Sequence, residues 1–323
     1  MDRPAARYAF VTRDRCPVCG AAGTIRYRCR YGEDPVSGFI QWRYRHSTDP
    51  IAIASYALAE CSRCKLLYQA EVGGAEFLEE LYTNWIDDPE GPEGYATYRR
   101  DIARPLESRD AHEIIAAASF LGLPLAEMRT LDFGMGWALW AEIARGLGCE
   151  SWGTDLSQNR RQFAAERGIR VIDYDQIPEG RFDFVNTEQV MEHLVEPFEQ
   201  AAILARALRP GGILKISVPS AEPVKVGELD AAFRANDMKR LMPVHPLEHV
   251  NGYRKKSLAV LADRLGLEIV APGYRHRFAF LRHPGALSLR RPKQAAKELV
   301  RPFVQWRMPW NLYVWLRKPA SRT

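Results

Sequence analysis

Four cysteines near the start of the chain form two Cys-x-x-Cys pairs, Cys16 with Cys19 and Cys61 with Cys64. Each pair can present two thiolates to one tetrahedral ion, and Zn²⁺ is the usual occupant of such a site. Thiol–disulfide exchange is the alternative for either pair, but two pairs in one short region favour metal. The sequence therefore predicts one zinc ion. Four cysteine ligands leave no open position for a catalytic water, so the metal is expected to be structural.

The spacing between the two pairs leaves part of this assignment open. The 41 residues between Cys19 and Cys61 require an insertion loop. Cys29 and Cys149 have no partner at a comparable spacing, and we expect them to pack as small hydrophobic residues. Cys29 or His46 could still replace one of the assigned ligands.

A glycine-rich turn is the second pattern with chemical content. Residues 131–138 read LDFGMGWA, so that Asp132 ends an apolar segment and Gly134 and Gly136 follow it. Glycines at these positions let a ligand lie against the backbone before the next helix begins, although a plain strand-to-helix turn has the same pattern. Asp155 lies nineteen residues beyond Gly136 and can accept hydrogen bonds from both hydroxyls of an unphosphorylated ribose. Both NAD and S-adenosylmethionine fit this description.

The elements that must position these residues alternate between strand and helix beyond about residue 110. Strands are predicted at 129–133, 151–153, 169–172, 182–186 and 213–218, and helices at 110–121, 138–147, 157–167 and 197–208. This alternation indicates βαβ units, and hence a parallel sheet that helices cover on both faces. Earlier in the chain, residues 88–94 (DPEGPEG) have the composition of a linker. We expect a zinc-binding module and linker at 1–94 and a second domain at 95–323.

Residues 95 to 318 resemble the class I S-adenosylmethionine-dependent methyltransferases, with matching segments in the order of that family. The 132–138 turn is similar to the family's first motif, with Ala138 at the usual third glycine. Segment 182–186 with 190–194 resembles the fourth strand and its Glu-His segment, and 208–214 resembles the turn into the fifth strand. The resemblance implies an α/β, Rossmann-like, doubly wound and mostly parallel sheet with an antiparallel last strand.

The resemblance also implies S-adenosylmethionine as cofactor and gives roles to individual positions. The turn from Gly134 to Trp137 should run along the methionine moiety, Asp155 should bind the ribose, and Leu156 should line the adenine pocket. Glu188 should face the same cleft, or else act as an acid at a helix N-terminus. The residues assigned to the cofactor are Asp132, Gly134, Gly136, Trp137, Asp155, Leu156, Asp173, Tyr174 and Glu188.

A base is also needed, because the sulfonium already activates the methyl group and the protein must align the nucleophile and accept its proton. His193 is the first candidate, since it follows the fourth strand at the edge where ligands bind in open α/β sheets. Glu192 could orient a ring beside it. His249 is the second candidate, and a histidine that only packs against its neighbours remains an alternative for His193.

Two cysteine pairs ahead of this fold resemble methyltransferases of bacterial secondary metabolism and glycan assembly, including sugar C-methyltransferases with an N-terminal zinc domain. Segments 56–69 and 77–82 follow that pattern. The resemblance implies a small polar acceptor, a sugar or related biosynthetic intermediate, with the module as a wall or lid over it. It leaves open whether the methyl group goes to oxygen, carbon or nitrogen. A catalytically inactive binding protein of the same fold is the alternative.

The charge distribution bears on partners. Of the 45 Lys and Arg residues, 12 lie between Arg275 and Thr323, where Glu298 is the only acid. Such a segment could face phosphate, an anionic membrane or an acidic substrate, or be a solvated surface. An RNA-modifying methyltransferase that uses residues 275–307 is one alternative, although a nucleic-acid partner is the less favoured interpretation, since the aromatic residues of 311–318 belong to a predicted strand.

The amino-acid composition excludes several classes of protein. The chain has 323 residues, 46% of them hydrophobic and 26% charged, and six cysteines, too few for a disulfide scaffold. It has no run of about 18 or more apolar residues and no apolar signal sequence at its start. A soluble, cytoplasmic protein without a transmembrane segment is expected. The oligomeric state is not determined by the sequence.

Overall fold

The computed structural model describes residues 7–86, 91, 96–287 and 291–320. The predicted junction between residues 94 and 95, and most of the turn-rich segment before it, lie outside these ranges, so the division into two domains stays a prediction. Among the described residues, no helix is both long and apolar enough to cross a membrane.

Residues 7–86, which we call the cysteine-containing part, are built mainly from short antiparallel strands. Strands β2, β3 and β4 form an antiparallel sheet whose fourth strand, β11 (Asn251–Gly252), comes from much later in the chain, and β1 pairs separately with β5. The elements of the first 80 residues are β1 (Phe10–Thr12), β2 (Gly23–Arg30), α1 (Val36–Tyr44), β3 (Ser55–Cys61), β4 (Leu67–Gln69), β5 (Glu71–Gly73) and α2 (Ala75–Glu80).

Helices and strands alternate through the rest of the chain, as the sequence predicts. The elements are α3 (Ala96–Ala103), α4 (Arg109–Leu121), β6 (Arg129–Phe133), α5 (Leu139–Gly146), β7 (Glu150–Thr154), α6 (Gln158–Glu166), β8 (Arg170–Val171), β9 (Phe182–Glu188), α7 (Pro197–Ala207), β10 (Leu208–Pro219), α8 (Leu229–Arg234), α9 (Met238–Leu241), β11 (Asn251–Gly252), α10 (Lys255–Arg264), β12 (Glu268–Val270), α11 (Tyr274–Arg277), α12 (Pro292–Val304) and β13 (Asn311–Arg317).

The central sheet has seven strands in the order β12-β13-β10-β9-β6-β7-β8. Strands β10, β9, β6, β7 and β8 are parallel to one another, whereas β13 is antiparallel to both β10 and β12. The inner strands are buried along nearly their whole length, as expected of a parallel sheet that helices cover on both faces. The predicted α/β, Rossmann-like, mostly parallel sheet with an antiparallel last strand is confirmed.

Two strand boundaries differ from the prediction and matter for the site. Strand β9 continues two residues beyond Asn186, so Glu188 is its last residue and does not lie past the strand as predicted. Strand β10 begins at Leu208 because an irregularity in its register accommodates the two glycines before Ile213. Pairing with the neighbouring strands overrides the turn signal of those glycines.

The cysteine-containing part and the central sheet share a hydrophobic cluster. Cys61 and Leu66 of the former belong to the same buried cluster as Ile216 and Val218 of β10 and Leu258 of α10. All five side chains are at most 1% exposed. Burial of apolar surface at this junction favours one fixed placement of the cysteine-containing part against the sheet.

The buried Arg13 side chain adds polar ties across the same junction. It donates to the carbonyl oxygens of Gln69 and Val250 at 2.7 Å each, and to Asn251 Oδ1 at 3.0 Å. Burial lowers the pKa of this guanidinium to about 10, so it stays charged at neutral pH. Hydrogen bonds from a charged donor are stronger than those between neutral groups, and these connect β4 to the segment around β11.

Candidate functional site

The four cysteines of the two predicted pairs come together in the structure. Their sulfur atoms all lie within 4.8 Å of one another, with 3.5 Å between the Sγ atoms of Cys16 and Cys64 and 3.4 Å between those of Cys19 and Cys61. A tetrahedral ion with Zn–S bonds of about 2.3 Å requires sulfur atoms separated by a little under about 4 Å. The four thiols are buried and free of disulfide bonds, so the donor set fits a zinc ion in both chemistry and spacing.

Each cysteine pair lies on a tight turn whose following residue has a left-handed backbone. Gly20 has φ +70° and Lys65 has φ +64°. These conformations reverse the chain after the second cysteine of each pair, so that both sulfur atoms face the same point. Glycine adopts such a φ without strain, whereas lysine does so at a cost of about 1 kcal/mol or more.

The other ligand candidates lie elsewhere. The Cys29 thiol contacts backbone carbonyl oxygens of Arg30 and Glu33, at 3.5 Å in each case. His46 stacks on Trp85 with 4.9 Å between ring centroids. Cys149 is buried in an apolar cluster, as expected of a small hydrophobic residue. None of these three belongs to the group of four sulfur atoms.

The glycine-rich turn connects β6 to α5 with three left-handed residues. Gly134, Gly136 and Ala138 have φ values of +69°, +54° and +57°. A methyl group on Gly134 would lie 2.7 Å from Val190 Cγ2, whereas one on Gly136 would meet no atom within 4 Å. The turn therefore packs tightly against the segment after β9 at Gly134 and is open at Gly136, where a ligand can approach the backbone.

Asp155 follows the end of β7 and bonds directly to this turn. Its Oδ2 accepts a hydrogen bond from the Gly136 N–H at 2.9 Å, and its Oδ1 accepts one from the Ser157 N–H at 2.9 Å. The two motifs, nineteen residues apart in sequence, are thus in contact at the carboxyl edge of adjacent parallel strands. That edge is where ligands bind in open α/β sheets.

The remaining residues assigned to the cofactor lie around the same edge in different environments. Leu156 is 79% exposed, which is unusual for a leucine next to a buried aspartate. Trp137 packs against Phe163 with 5.2 Å between ring centroids. Tyr174 packs edge-on against Phe133 at 5.1 Å, and Asp173 pairs with Arg161 at 2.5 Å.

Asp132 and Glu188 belong to a buried set of polar side chains that we call the lysine network. Asp132 accepts a hydrogen bond from Asn186 at 2.7 Å, and Asn186 in turn accepts one from Lys215 at 2.8 Å. Lys215 also pairs with Glu188 and lies 3.6 Å from Glu113. The members of the lysine network are Arg109, Glu113, Asp132, Asn186, Glu188 and Lys215.

Electrostatics within the lysine network favour ionised pairs. Burial alone would raise the pKa of Glu188, but the charges of Lys215 and Arg109 outweigh it and hold that pKa at about 2. Burial lowers the pKa of Lys215, yet Glu113 and Glu188 leave it above its ordinary value. Asp132 differs, because burial raises its pKa to about 7 despite the hydrogen bond from Asn186. Arg109 closes the network at 3.1 Å from Glu188.

The candidate bases gather in a second group that we call the imidazole cluster, comprising Glu192, His193, His245 and His249. The His193 and His249 rings are 4.7 Å apart between centroids, and those of His245 and His249 are 4.1 Å apart. Possible ligand atoms of Glu192, His193 and His249 all lie within 4.8 Å of one another. Folding thus brings together the three residues that the sequence proposes for catalysis.

Hydrogen bonds limit which imidazole nitrogens are free. His193 Nδ1 lies 3.2 Å from the Tyr82 hydroxyl, and His249 Nδ1 bonds to the Met242 carbonyl oxygen. A carbonyl oxygen can only accept, so His249 Nδ1 carries the proton and its Nε2 keeps a lone pair. Glu192 is 1% exposed, and neither of its carboxyl oxygens has a hydrogen-bond partner among the described residues.

Burial governs the protonation of this cluster. It lowers the pKa of His193 to about 4 and that of His245 to about 3, and it raises the pKa of Glu192 to about 8. At neutral pH the imidazoles are therefore uncharged and Glu192 is protonated. A neutral imidazole can take the proton of a substrate hydroxyl group. Glu192, His193 and His249 also offer the kinds of ligand atom that divalent cations bind.

Sequence reasoning missed Lys215, Arg109, Glu113 and Tyr82. A signal existed for Lys215, since it is the only charged residue in the apolar segment from Ile213 to Val218. A lone lysine in a buried strand requires a partner. No comparable signal existed for Tyr82, because its contact with His193 joins residues 111 positions apart.

Residues 99–271, more than half of the chain, match the family described as a methyltransferase domain. The chain belongs to this family. The predicted resemblance is thus confirmed at the level of family and fold.

Two curated relatives illustrate how far the similarity of this methyltransferase domain extends. The chain is 29% identical over 156 residues to a ubiquinone biosynthesis O-methyltransferase of Thiobacillus denitrificans, covering 45% of this chain and 66% of that protein. It is 32% identical over 130 residues to the protein of the same name from a Bradyrhizobium species, covering 38% and 48%. The chain therefore spans less than two thirds of the length of either relative.

Solved structures with a similar arrangement include a 1,6-didemethyltoxoflavin-N1-methyltransferase from Burkholderia thailandensis. The sequence identity to it is 18%, the coverage is 72% of this chain and 93% of that one, and the TM-score is 0.41. An S-adenosylmethionine-dependent methyltransferase from Archaeoglobus fulgidus is 14% identical, with coverage of 76% and 100% and a TM-score of 0.40.

Proposed function

We propose that this protein transfers a methyl group from S-adenosylmethionine to a small polar acceptor in a biosynthetic pathway. The observation that carries the proposal is the contact between Asp155 and Gly136 at the carboxyl edge of the sheet. The same turn packs at Gly134 against Val190, three residues before His193. The cofactor supplies an electrophilic methyl group on a sulfonium when it is bound. Membership of the methyltransferase family supports the same activity.

We assign the cofactor roles to the residues around the glycine-rich turn. Asp155 would accept hydrogen bonds from the ribose hydroxyls on the lone pairs that its two backbone hydrogen bonds leave free, and the open space at Gly136 would admit the methionine moiety. Exposed Leu156 would cover the adenine, with Asp173 and Tyr174 at its edge and face. The rest of the assigned set is Asp132, Gly134, Trp137 and Glu188.

His193 is proposed as the base. In the tautomer that carries its proton on Nδ1, which then donates to the Tyr82 hydroxyl, Nε2 holds the lone pair that takes the proton of the methyl acceptor. Glu192 and His249 shape the surroundings of that ring, and the neutral Glu192 can donate a hydrogen bond to the acceptor. A hydroxyl acceptor fits this arrangement, because methylation of oxygen releases one proton.

The acceptor class is proposed as a sugar or a related biosynthetic intermediate. The resemblance to sugar methyltransferases implies an N-terminal zinc domain that forms a wall or lid over the acceptor. The contact of Tyr82 with His193 supports this, because it brings the cysteine-containing part beside the imidazole cluster. A phenolic acceptor is the second candidate, because the curated relatives are named for ubiquinone biosynthesis.

The proposed location is the cytoplasm, on the basis of six cysteines without a disulfide bond.

Calorimetry with S-adenosylmethionine tests the cofactor part of this proposal. The wild type should bind it, and Asp155→Ala should weaken binding about tenfold or more because two ribose hydrogen bonds are lost. Failure of the wild type to bind would overturn the proposal. Binding without formation of S-adenosylhomocysteine, across sugar and phenol acceptors, would instead indicate an inactive binding protein.

We also propose one structural zinc ion at Cys16, Cys19, Cys61 and Cys64, in a module formed by residues 1–94 ahead of a methyltransferase domain at 95–323. Metal analysis of protein purified without added zinc should give one zinc per chain. Cys61→Ser should lose the metal and destabilise the chain, because structural zinc contributes directly to folding. Cys149→Ser is the matched control and should retain the metal.

A further inference from the structure

Helix α12 turns its apolar side outward. Its apolar residues Leu299, Val300, Phe303 and Val304 are between 39% and 53% exposed. Its inward side instead carries the acid Glu298, which is 1% exposed, and the buried Pro302. A helix on the surface of a globular domain ordinarily buries its apolar side and exposes its polar one. In α12 this arrangement is reversed.

The buried Glu298 has polar partners from α12 itself and from α4 in this orientation. Arg301 donates to both carboxyl oxygens of Glu298, at 2.7 and 2.9 Å, and His112 Nδ1 lies 3.5 Å from the same carboxyl group. Burial alone would raise the pKa of Glu298, but the hydrogen bonds from Arg301 and the nearby His112 ring hold that pKa at about 2. The polar side of the helix is therefore satisfied inside the protein, and the apolar side is left at the surface.

The outward residues form a continuous surface with α11. Phe303 contacts Tyr274, which is 49% exposed, with 5.2 Å between ring centroids. We define the apolar patch as Tyr274, Leu299, Val300, Phe303 and Val304. Clustered exposed apolar residues of this kind mark interaction surfaces, whereas single ones do not.

Basic residues surround the apolar patch. Lys293 and Lys297 precede Val300 by seven and three residues, which places all three on one side of the helix. Arg275, Arg282 and Arg307 are exposed nearby in sequence. The only acid between Arg275 and Thr323 is the buried Glu298, and the ion pairs of the described part of this segment use Arg291, Arg301 and Arg317 instead.

We propose that the apolar patch and its basic rim dock on the surface of an anionic lipid bilayer. Apolar side chains on one side of an interfacial helix enter the boundary between headgroups and acyl chains. Lysine and arginine side chains at the rim reach the phosphate layer, where each contributes a favourable electrostatic interaction. The surface of α11 and α12 combines these two features.

Other occupants fit this surface less well. A second copy related by twofold symmetry would bring the same patch against itself, so that the basic rims would repel each other. Nucleic acid would match the charge, but aliphatic residues such as Leu299 and Val300 provide neither stacking nor phosphate contacts. A lipid surface satisfies both the apolar centre and the basic rim.

Flotation of the full chain with vesicles tests the proposal. The protein should float with vesicles of phosphatidylcholine that contain about one third phosphatidylglycerol, and not with pure phosphatidylcholine. Near about 1 M salt, where the Debye length is about 3 Å, binding should weaken severalfold. Equal binding to both kinds of vesicle, or to neither, would overturn the proposal.

Variants separate the contribution of the apolar patch from that of the basic rim. Two double variants should each lower the partition coefficient onto anionic vesicles about tenfold or more. One combines Val300→Asp with Phe303→Glu, and the other combines Lys293→Glu with Lys297→Glu. Ile53→Asp is the matched control, because Ile53 is 56% exposed in the cysteine-containing part, and it should bind as the wild type does. Circular dichroism should show all variants folded, since the replaced side chains are exposed.

Two results would assign the surface to another partner and overturn the proposal. One is a dimer in sedimentation equilibrium that Val300→Asp dissociates, without any vesicle binding by the wild type. The other is salt-sensitive binding of tRNA that the lysine variant abolishes while the apolar variant retains it. S-adenosylmethionine binding should be unchanged in every variant, so this test is independent of the proposed activity.

Discussion

The lysine network and the imidazole cluster both include residues at or just beyond the end of β9, but they differ in how fully their buried groups are paired. In the network, Lys215 bonds to Asn186 and Glu188, and Glu113 accepts hydrogen bonds from Trp140 and Tyr313 at 3.1 and 2.6 Å. In the cluster, the Glu192 carboxyl oxygens have no partner among the described residues. Buried polar groups are ordinarily paired, so an unpaired group indicates capacity for a ligand rather than a contribution to stability.

Loss of Lys215 should have the largest effect on stability. Lys215→Met leaves Glu188 and Glu113 without their shared cation inside the protein, and the free energy of unfolding should fall by about 3 kcal/mol or more. Denaturant unfolding measures this change. The exposed Lys239, replaced by Met, is the control and should change the free energy of unfolding by about 0.5 kcal/mol or less. An unchanged free energy of unfolding in Lys215→Met would contradict the inference that pairing in the lysine network, unlike the imidazole cluster, stabilises the fold.

Loss of His193 should affect turnover and not folding. His193→Gln removes the proposed base, and kcat at saturating cofactor should fall about 100-fold or more. The free energy of unfolding should stay close to that of the wild type. A nearly unchanged kcat would exclude His193 as the base, and the same replacement at His249 would then be the next variant to measure.

Stability should respond to pH in opposite senses at Glu188 and Glu192. The pKa of Glu188 is lowered from 4.5 to about 2, so its stabilisation is present above pH 4.5 and is lost as the pH falls towards 2. The pKa of Glu192 is raised from 4.5 to about 8, so its contribution is present below pH 4.5 and is lost as the pH rises through 8.

Unfolding of Glu188→Gln and Glu192→Gln across this pH range measures the contrast. The deficit of Glu188→Gln relative to the wild type should shrink below pH 4.5. Glu192→Gln should become more stable relative to the wild type between pH 4.5 and 8. Parallel curves for the two variants would contradict the assignment of one glutamate as paired and the other as unpaired.

Removal of the Tyr82 hydroxyl should have the smallest effect. Tyr82→Phe deletes one hydrogen bond to His193 Nδ1, and kcat should fall about threefold to tenfold with KM little changed. The pH dependence of kcat should shift, because losing the hydrogen bond to Nδ1 changes the relative stability of the neutral and protonated His193 ring. An identical pH profile in the variant would show that Tyr82 only fills space.

The sequence predicted the central sheet well because its signals are local. Strand β6 has the predicted bounds, and the bounds of α5, β7 and α6 differ from prediction by only one residue at each end. Apolar periodicity and glycine turns depend on neighbouring residues alone. The extension of β9 to Glu188 was missed because it depends on pairing with Ser217 of β10.

The candidate site was only partly predictable for the same reason. Asp155 and Gly136 were recognised from their spacing along the chain, and the structure joins them by a hydrogen bond. Lys215 has a local signal, as the only charge in its apolar segment, but its partner Glu188 lies 27 residues away; the partner of Tyr82 lies 111 residues away. Contacts over such separations depend on how the elements pack and not on any nearby pattern.

By itself, the sequence determined the two cysteine pairs, the glycine-rich turn and the order of strands and helices, because turn geometry and hydrophobic periodicity act over a few residues. The tertiary structure alone decided that Glu192 is buried beside His193 and His249, with no hydrogen-bond partner among the described residues. It alone decided that α12 buries Glu298 and exposes Leu299 and Phe303. Those outcomes depend on packing between distant segments, which decides which side of an element faces water.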